Sequence, residues 1–423
     1  MRFTRLVSFL LILSITFSLP SCMSAQRTEK SPAINRLAIR AARMLDVNSG
    51  QLITDAVIIV ENDRIAAVGS KLSIPQGTKI IDLGDATILP GLIDAHTHIT
   101  YHFDESGHFG LSGDATPEVT LKYAEENARN TIEAGFTTIR NLGAVQKVDL
   151  RLRDAINRGE VVGPRIIASG EPLMAYDIED ASRQVERTAL IRSFVRARVS
   201  EGVNVIKIFE GIDDRGSPLF SRMDIQVAVE EAKRAGLKVA VHAHEAAAIK
   251  AAVEGGCDSI EHGTFLDDEA IKLMVKHHTA LVPTLYLPTH YLEHKSQFVF
   301  DDSTWEFFER LRSHNLENLR RAKRAGVWII SGSDAVAGVH GHNAREIEWL
   351  VKAGLSPLEA IRAATIDAAK LLGMEDRIGE IKEGKLADII AIKGDPLRDI
   401  NSLEQVQFVM KNGQVVKTIG ATR

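Results

Sequence analysis

Residues 90–375 alternate short apolar runs with amphipathic stretches, and this alternation limits the folds open to the chain more than any other feature. The runs are LIDAHTHI, TTIRNLG, RIIASG, VIKIFEG, KVAVHAHE, SIEHGT, ALVPTL and VWIISGSDA. Between them lie stretches such as TPEVTLKYAEENARNTIEAG, SRMDIQVAVEEAKRAG and DDEAIKLMVKHH. Near-continuous apolar runs of this length read as strands buried on both faces, and the stretches between them read as the crossover helices that parallel strands require. Several of those helices end in Gly just ahead of the next strand, where a helix C-cap belongs. Eight strand–helix repeats predict an α/β fold whose nearest match is a (β/α)8 barrel, the TIM barrel. A doubly wound open sheet shares the pattern, but no Gly-rich phosphate fingerprint follows the first strand.

The two ends of the chain are written differently. From Ile34 to Leu89 the strands are short, and VIIV-END-RIAAVG reads as two of them around a tight polar turn. The C-terminus returns to that style in ADIIAIKGD and VQFVMKNGQVVKT, where Asn412-Gly413 carries a hairpin signal. Residues 34–89 and 376–423 are therefore expected to build one small β domain beside the barrel. At the start, Arg2 and Arg5 precede LVSFLLILSITF, which is short for a bilayer span and suits a signal-peptide core. It ends in LPSC, residues 19–22, which resembles a bacterial lipobox. Residues 1–22 are read as a signal peptide, Cys22 as the lipidated residue and 23–33 as a polar tether. The expectation is export to the bacterial periplasm or cell envelope, with membrane contact only through the lipid. Signal cleavage near Ser24-Ala25, giving a soluble periplasmic protein, is the alternative. The one other cysteine, Cys257, then has no partner, so disulfides do not hold the fold; it reads as a small core residue. A formal charge of −5 without a basic stripe speaks against nucleic acid as a partner.

Polar residues cluster where barrel active sites lie, at the C-terminal ends of the strands. LPGLIDAHTHI carries His96 and His98 at i, i+2, so both imidazoles leave the same face of strand one. His242 and His244 close strand five, His262 strand six and Asp334 strand eight. A lone histidine on an apolar strand is most often a hydrogen-bonded core residue. Agreement among four strands favours a metal site, and imidazole with carboxylate suits zinc and its divalent neighbours. Lys207 sits inside the apolar strand VIKIF, where an unpaired ammonium is costly. It reads either as one half of a salt bridge or, beside these ligands, as a lysine carbamylated by CO2 that can bridge two metals.

The motifs LPGLIDAHTH, TTIRNLG, VIKIFEG, VAVHAHE, SIEHGT, SGSDA, GHNAREIEWLVKAGLSPLEAIRAAT and IGEIKEGKLADIIAIKGDPLRDI resemble the amidohydrolase superfamily. The resemblance is to its binuclear-metal branch of prolidase-like Xaa-Pro and Xaa-Arg dipeptidases, related to imidazolonepropionases, and it covers everything after the tether. It implies a β-sandwich flanking a (β/α)8 barrel with two divalent ions, taken as Zn2+. On that pattern His96, His98 and Asp334 hold the first ion, His242 and His262 the second, and the carbamate of Lys207 bridges them. Asn141 departs from the pattern, since relatives often carry Asp there.

These parts predict an exported amidohydrolase that cleaves a C–N amide bond by metal-activated hydroxide. Asp334 takes the proton and returns it to the departing amine. The expected substrate is a small molecule, a dipeptide (Xaa-Pro or related) or an N-acyl amino acid. His244, Tyr286, His340 and His342 are candidates to bind it. His102 and His108 follow strand one and carry less, while His277 and His278 precede strand seven on the opposite face. Hydrolysis of a cyclic amide or imidazolone, or deamination, is the alternative chemistry; relatives doing those often lack the strand-four lysine. A metal-binding lipoprotein without turnover would be expected to lack Asp334 or a ligand. The resemblance allows a homo-oligomer, and no stretch of sequence marks an interface.

Overall fold

The computed structural model describes residues 35–418 apart from 105, 111–114, 180, 182 and 337. The signal peptide, Cys22 and the tether anticipated for residues 1–33 lie outside the described residues. The chain enters through β1 (Arg36–Leu45), β2 (Leu52–Glu61), β3 (Arg64–Ser70), β4 (Lys79–Asp82) and β5 (Ala86–Pro90). β1 and β2 pair antiparallel with Arg36 opposite Glu61, and β2 returns as β3 through Asn62-Asp63, with Asn62 at φ 56°. β1 uses its other edge twice. Residues 37–40 pair with β4 and residues 43–44 with β5, both parallel, so the sheet forks along β1.

The alternating region follows as β6 (Leu92–Thr97), the two-residue strands β7 (His102–Phe103) and β8 (Phe109–Gly110), α1 (Pro117–Glu133), β9 (Phe136–Asn141), α2 (Val148–Asn157) and β10 (Arg165–Ala168). Next come α3 (Gln184–Ser200), β11 (Val205–Phe209), α4 (Arg222–Arg234), β12 (Lys238–Glu245), α5 (Ala246–Gly255), β13 (Ser259–Phe265), α6 (Asp268–His277) and β14 (Ala280–Val282). Helices α7 (Tyr286–Glu293), α8 (Asp302–Ala325), α9 (Ala344–Lys352), α10 (Pro357–Ala363) and α11 (Ile366–Leu371) complete it. Local chemistry sets the helix ends. Ser221, Asp267, Asp301 and Ser356 accept N-terminal N–H groups, and Gly256 and Gly326 close α5 and α8 in the left-handed region.

The strands form two parallel sheets, β10-β9-β6 and β11-β12-β13-β14. Single bridges join their edges, Leu173 to Ile208 on one side, Leu281 to Ile329 and Thr97 to Ala335 on the other. The eighth predicted strand, VWIISGSDA, is thus present as bridges and not as a ladder. It runs between β14 and β6 through Ile330 N–H to Leu281 O (2.9 Å) and Ala95 N–H to Ser331 O (3.0 Å). At Gly332 it passes so close that a Cβ would collide with Val282 and with the backbone of His96.

β15 (Ile389–Lys393), β16 (Val406–Lys411) and β17 (Gln414–Lys417) then rejoin the first sheet in the order β17-β16-β15-β5-β1-β2-β3. Asn412 (φ 48°) and Gly413 (φ 73°) make the hairpin turn that their sequence announces. Ile39, Ile58, Ile88, Ile389, Phe408 and Met410, drawn from both ends of the chain, share one core. The opposite face of β15, Ile390 and Ile392, joins the large core between strands and helices. Burial on both faces accounts for its unbroken apolar run.

Candidate metal centre

At the C-terminal end of β6 and the loop after Gly332, three donor atoms converge. His96 Nε2, His98 Nε2 and Asp334 Oδ1 lie 3.3 Å from one another on all three sides of a triangle. Bonds of about 2.0–2.1 Å at tetrahedral angles would set donors about 3.3–3.4 Å apart, so the triangle has the size of one face of a zinc-like coordination shell. The tautomers fit as well. His96 Nδ1 lies 2.7 Å from Glu261 Oε2, which fixes its proton on Nδ1 and turns the Nε2 lone pair into the triangle. Lone pairs meeting at this range repel unless a cation lies among them.

The groups that hold His96 were not singled out by the sequence. Glu261, on β13, accepts from Arg140 Nη2 at 2.9 Å and from Ser259 Oγ at 2.5 Å. Arg140 leaves β9, donates to Ala95 O on β6 (2.6 Å) and to Ser259 Oγ (3.0 Å), and spans the interior with 1% exposure. Burial alone would raise the Glu261 pKa, but Arg140, His96 and Lys207 outweigh it and pull the carboxyl down to about 2. Asp94, also on β6, accepts from Ser333 N (2.9 Å) and Asn343 Nδ2 (2.7 Å) and so ties the Asp334 loop to strand one. Asn141, the departure from the family pattern, accepts the Ile99 N–H at 2.6 Å and so braces the loop after β6.

His242, His244 and His262 form a second group whose donor atoms lie within 4.8 Å of one another, and His262 also lies that close to His96 and Asp334. Thr284 Oγ1 meets His262 Nδ1 at 2.7 Å and Thr264 Oγ1 meets His244 Nδ1 at 2.9 Å, leaving each Nε2 for the site. Phe209 stacks on His242 with ring centroids 3.9 Å apart. Burial holds His96 and His244 at pKa values of about 4 and His242 and His262 well below their ordinary value, so all four are neutral at pH 7 and competent as ligands. Lys207 is buried beside them and makes no ion pair within 4 Å among the described residues. Burial lowers its pKa to about 8 against the pull of Glu261 and Asp334.

Three non-glycine residues here adopt left-handed backbone, His262 (φ 73°), Thr284 (φ 48°) and Asp334 (φ 55°). Such conformations cost about 1–3 kcal/mol each and persist where surrounding structure holds them, commonly at functional sites. Here they aim two candidate ligands, and the threonine that orients one of them, inward.

The site opens on a cavity of about 300 Å³. His98, Lys207, His242, His244, His262 and Asp334 line one part, and Leu287, Pro288, Tyr291, Phe307, Phe308 and Leu311 are among the residues that line the remainder. Of the four residues expected to bind substrate, only His244 lines it. Tyr286 is turned away because the chain enters α7 there: its ring lies beneath the Arg345 guanidinium and its hydroxyl near His290, while Leu287, Pro288 and Tyr291 face the cavity. His340 is buried behind strand one, with Nδ1 against Thr131 Oγ1 at 3.0 Å. His342 is exposed and faces Glu404 at 3.9 Å. His102 stacks on Tyr123, and His108 pairs with Ser106, both outside the cavity lining.

Residues 87–419 match the amidohydrolase family. The chain is 28% identical over 434 residues to an ochratoxinase of Aspergillus niger, covering 91% of this chain and 88% of that protein. The crystal structure of a Xaa-Pro dipeptidase with bound methionine in its active site is similar at 32% identity and TM-score 0.80, over 90% of this chain and 100% of that one. A prolidase complexed with N-methylphosphonate-L-proline is similar at 26% identity and TM-score 0.82, over the same shares.

Proposed function

The chain belongs to the amidohydrolase family and is a metal-dependent hydrolase of C–N bonds, and from that membership we propose that it cleaves the amide of a dipeptide, Xaa-Pro or related, or of an N-acyl amino acid. The observation that carries the proposal is the triangle of His96, His98 and Asp334 opening on a cavity with mostly apolar walls. The likeness to dipeptidases and to an ochratoxinase supports it. In the same reading the bridged ring of parallel strands is a closed (β/α)8 barrel and the forked sheet a β-sandwich. His96, His98 and Asp334 would hold one ion, His242 and His262 the other, and Lys207 as its carbamate would span them; Zn2+ is the ion that this donor chemistry suits. His244 stands in the same group, its ring centroid 4.7 Å from that of His262 against 4.5 Å for His242, and Thr264 orients its ring to face ion or substrate.

Two divalent ions would polarise the scissile carbonyl and make water acidic enough to yield hydroxide near neutral pH. The remaining work falls to the protein. Asp334 is ionised: burial acts to raise its pKa, but His96, His98 and Lys207 overcome that and lower it. It can therefore accept a proton from the attacking water and return it to the amine nitrogen as the C–N bond breaks. Glu261, which can only accept, keeps His96 in the ligand-competent tautomer, and Thr284 holds the His262 ring in orientation. The aromatic and aliphatic walls exclude water and receive the apolar part of the substrate. Lys207, with its ammonium destabilised by burial, is suited to lose a proton and add CO2 at Nζ.

The test is metal analysis of the purified protein followed by a screen of dipeptides and N-acyl amino acids. The proposal expects about two ions per chain and amide hydrolysis; about one ion together with deamination or cyclic-amide opening overturns it. Export and lipidation at Cys22 remain part of the proposal, and mass analysis of the mature N-terminus, in cells that process lipoproteins, decides them.

A further inference from the structure

We propose that Phe209 binds substrate, its outward ring face forming a second apolar subsite across the metal centre from the α7–α8 wall, so that the amide cleaved carries an apolar group on each side of its C–N bond. The inference rests on the amidase reading above and narrows its substrates to amides of that class.

Val205, Lys207 and Phe209 alternate along β11 and therefore share the face that turns Lys207 into the site. Phe209 pairs in register with His242 on β12, so a phenyl ring stands on a rung where the neighbouring strand presents an imidazole. Val205 and Lys207 are each 1% exposed, yet Phe209 is 40% exposed. Its orientation is fixed, because the ring stacks on His242 with centroids 3.9 Å and planes 15° apart. One face is thereby sealed. The exposure belongs to the other face and the edge, and Phe209 lines the cavity. An apolar ring left open there is unburied surface that a bound apolar group would cover.

The opposite side of the cavity is apolar as well. β12 lies between β11 and β13. Helix α8 is tied to the end of β13, where Asn318 donates to Thr264 O, and its Phe307 meets His244 edge-on with ring centroids 5.3 Å apart. Phe307, Phe308 and Leu311 line the cavity there, together with Leu287, Pro288 and Tyr291 of α7. The histidines of β12 thus stand between two apolar surfaces, Phe209 on one side and this wall on the other. An amide whose carbonyl lies among the donors extends its acyl and amine parts toward opposite surfaces. Neither surface supplies charge. Histidines aside, Lys207 and Asp334 are the only charged side chains lining the cavity among the described residues. Glu210, next to Phe209, turns its carboxylate back onto the N–H groups of Gly211 (2.9 Å) and Phe220 (3.1 Å). A free ring face suits a flat apolar partner, so Phe209 takes an aromatic ring, and the ammonium or carboxylate of a dipeptide lies toward the mouth.

The test is a matrix of four dipeptides, Ala-Ala, Ala-Phe, Phe-Ala and Phe-Phe, offered to the metal-loaded enzyme. The native protein is expected to favour Phe over Ala by about ten-fold or more in kcat/KM at each position. Phe209→Ala should bring that ratio to about one at one position and leave the other intact, and Phe307→Ala should reduce it at the other position only. Phe209→Tyr, which keeps the ring, should retain both preferences. Phe209→Asn carries the expectation of the alanine variant if that variant does not fold. A ring that served only to position His242 would, on removal, slow all four substrates by one factor and leave the ratios unchanged, and that result overturns the inference. So does a native protein indifferent at either position, or loss at the same position in both alanine variants. Calorimetric binding of four phosphonamidates, with methyl or benzyl on phosphorus and alanine or phenylalanine on nitrogen, reads the same ratios without turnover. Absence of any amide turnover, with the binding preferences present and lost position by position, would overturn the amidase reading and leave Phe209 in its role.

Discussion

Replacing Glu261 with Gln changes one charge and little volume, yet it reaches both the fold and the metal centre. In the native chain its oxygens meet His96 Nδ1 at 2.7 Å and Arg140 Nη2 at 2.9 Å, all three side chains being fully or almost fully buried. The carboxyl falls from 4.5 to about 2, a preference of the fold for the charged form worth about 3 kcal/mol at ~1.4 kcal/mol per unit. Its sign is that of a depressed acid: the stabilisation is present above pH 4.5 and is lost as pH falls toward about 2. The variant strands the Arg140 guanidinium in the interior, and breaking a buried ion pair from one side costs about 3–5 kcal/mol. The two estimates agree, so metal-free Glu261→Gln should unfold with about 3 kcal/mol less stability in urea at pH 7. The metal effect is separate. A glutamine amide that donates to His96 Nδ1 moves the ring proton to Nε2 and removes the lone pair from the triangle, which should weaken the first ion about 10- to 100-fold in a competition titration with a chelator. Metal-free stability within about 0.5 kcal/mol of native, or unchanged affinity for the first ion, would refute the assignment of Glu261 as the residue that orients His96.

Asp334→Asn should abolish amide turnover while retaining much of the metal, because the amide oxygen still completes the triangle but cannot take a proton; near-native turnover contradicts the proton-transfer role. Lys207→Ala should reduce bound metal from about two ions per chain to about one, with partial recovery in added acetate or propionate, as metal analysis would show; unchanged metal content excludes a bridging Lys207. Glu346 accepts the N–H groups of Leu285 and Tyr286 at 2.9 Å, and burial raises its pKa from 4.5 to about 8 despite them. Its protonated form is favoured in the fold, so this stabilisation is present below pH 4.5 and is lost as pH rises through about 8, amounting to at most about 5 kcal/mol. Glu346→Gln should flatten the denaturation midpoint across that window, and a variant that still tracks the native pH profile would contradict the assignment.

Strand existence was legible because the apolar runs repeat, and the strand-end histidines stood out because imidazoles interrupt otherwise apolar sequence. The i, i+2 spacing of His96 and His98 told which way both rings point, and the structure closes that pair with Asp334 at 3.3 Å. Three features escaped. The eighth strand has the apolar composition of a ladder strand, but it meets β6 and β14 through single bridges, with Gly332 at a point where a Cβ would collide with Val282 and His96. Tyr286, His340 and His342 were placed correctly after strands seven and eight, yet the direction of a loop side chain depends on where the next helix begins, which sequence fixes only to within a few residues. Arg140 and Glu261 each carried a visible signal, a charge inside an apolar strand. Their partnership across the interior depends on a contact between β9 and β13 that no local pattern encodes.

The missed residues and the recognised ones occupy different levels of the ring of strands, and this division follows from charge. Full charges, Arg140 and Glu261, sit among the strand bodies, where each neutralises the other and both are buried from bulk solvent. Neutral imidazoles sit one level nearer the mouth, where burial removes their protons and leaves their lone pairs for an ion. If the order were reversed, Arg140 would repel the ion and the histidines would have no use for their second nitrogen. Glu261 joins the levels, with one oxygen on the guanidinium and the other on His96, so the polarity of the interior and the tautomer of the first ligand are set by a single carboxylate. A swap that preserves the pair while exchanging its sides, Arg140→Glu with Glu261→Arg, should therefore keep much of the fold's stability and lose the first ion, since a guanidinium beside His96 Nδ1 can only donate. Metal analysis of the double variant alongside its urea midpoint separates the two levels; retention of both ions would show that His96 needs no carboxylate behind it.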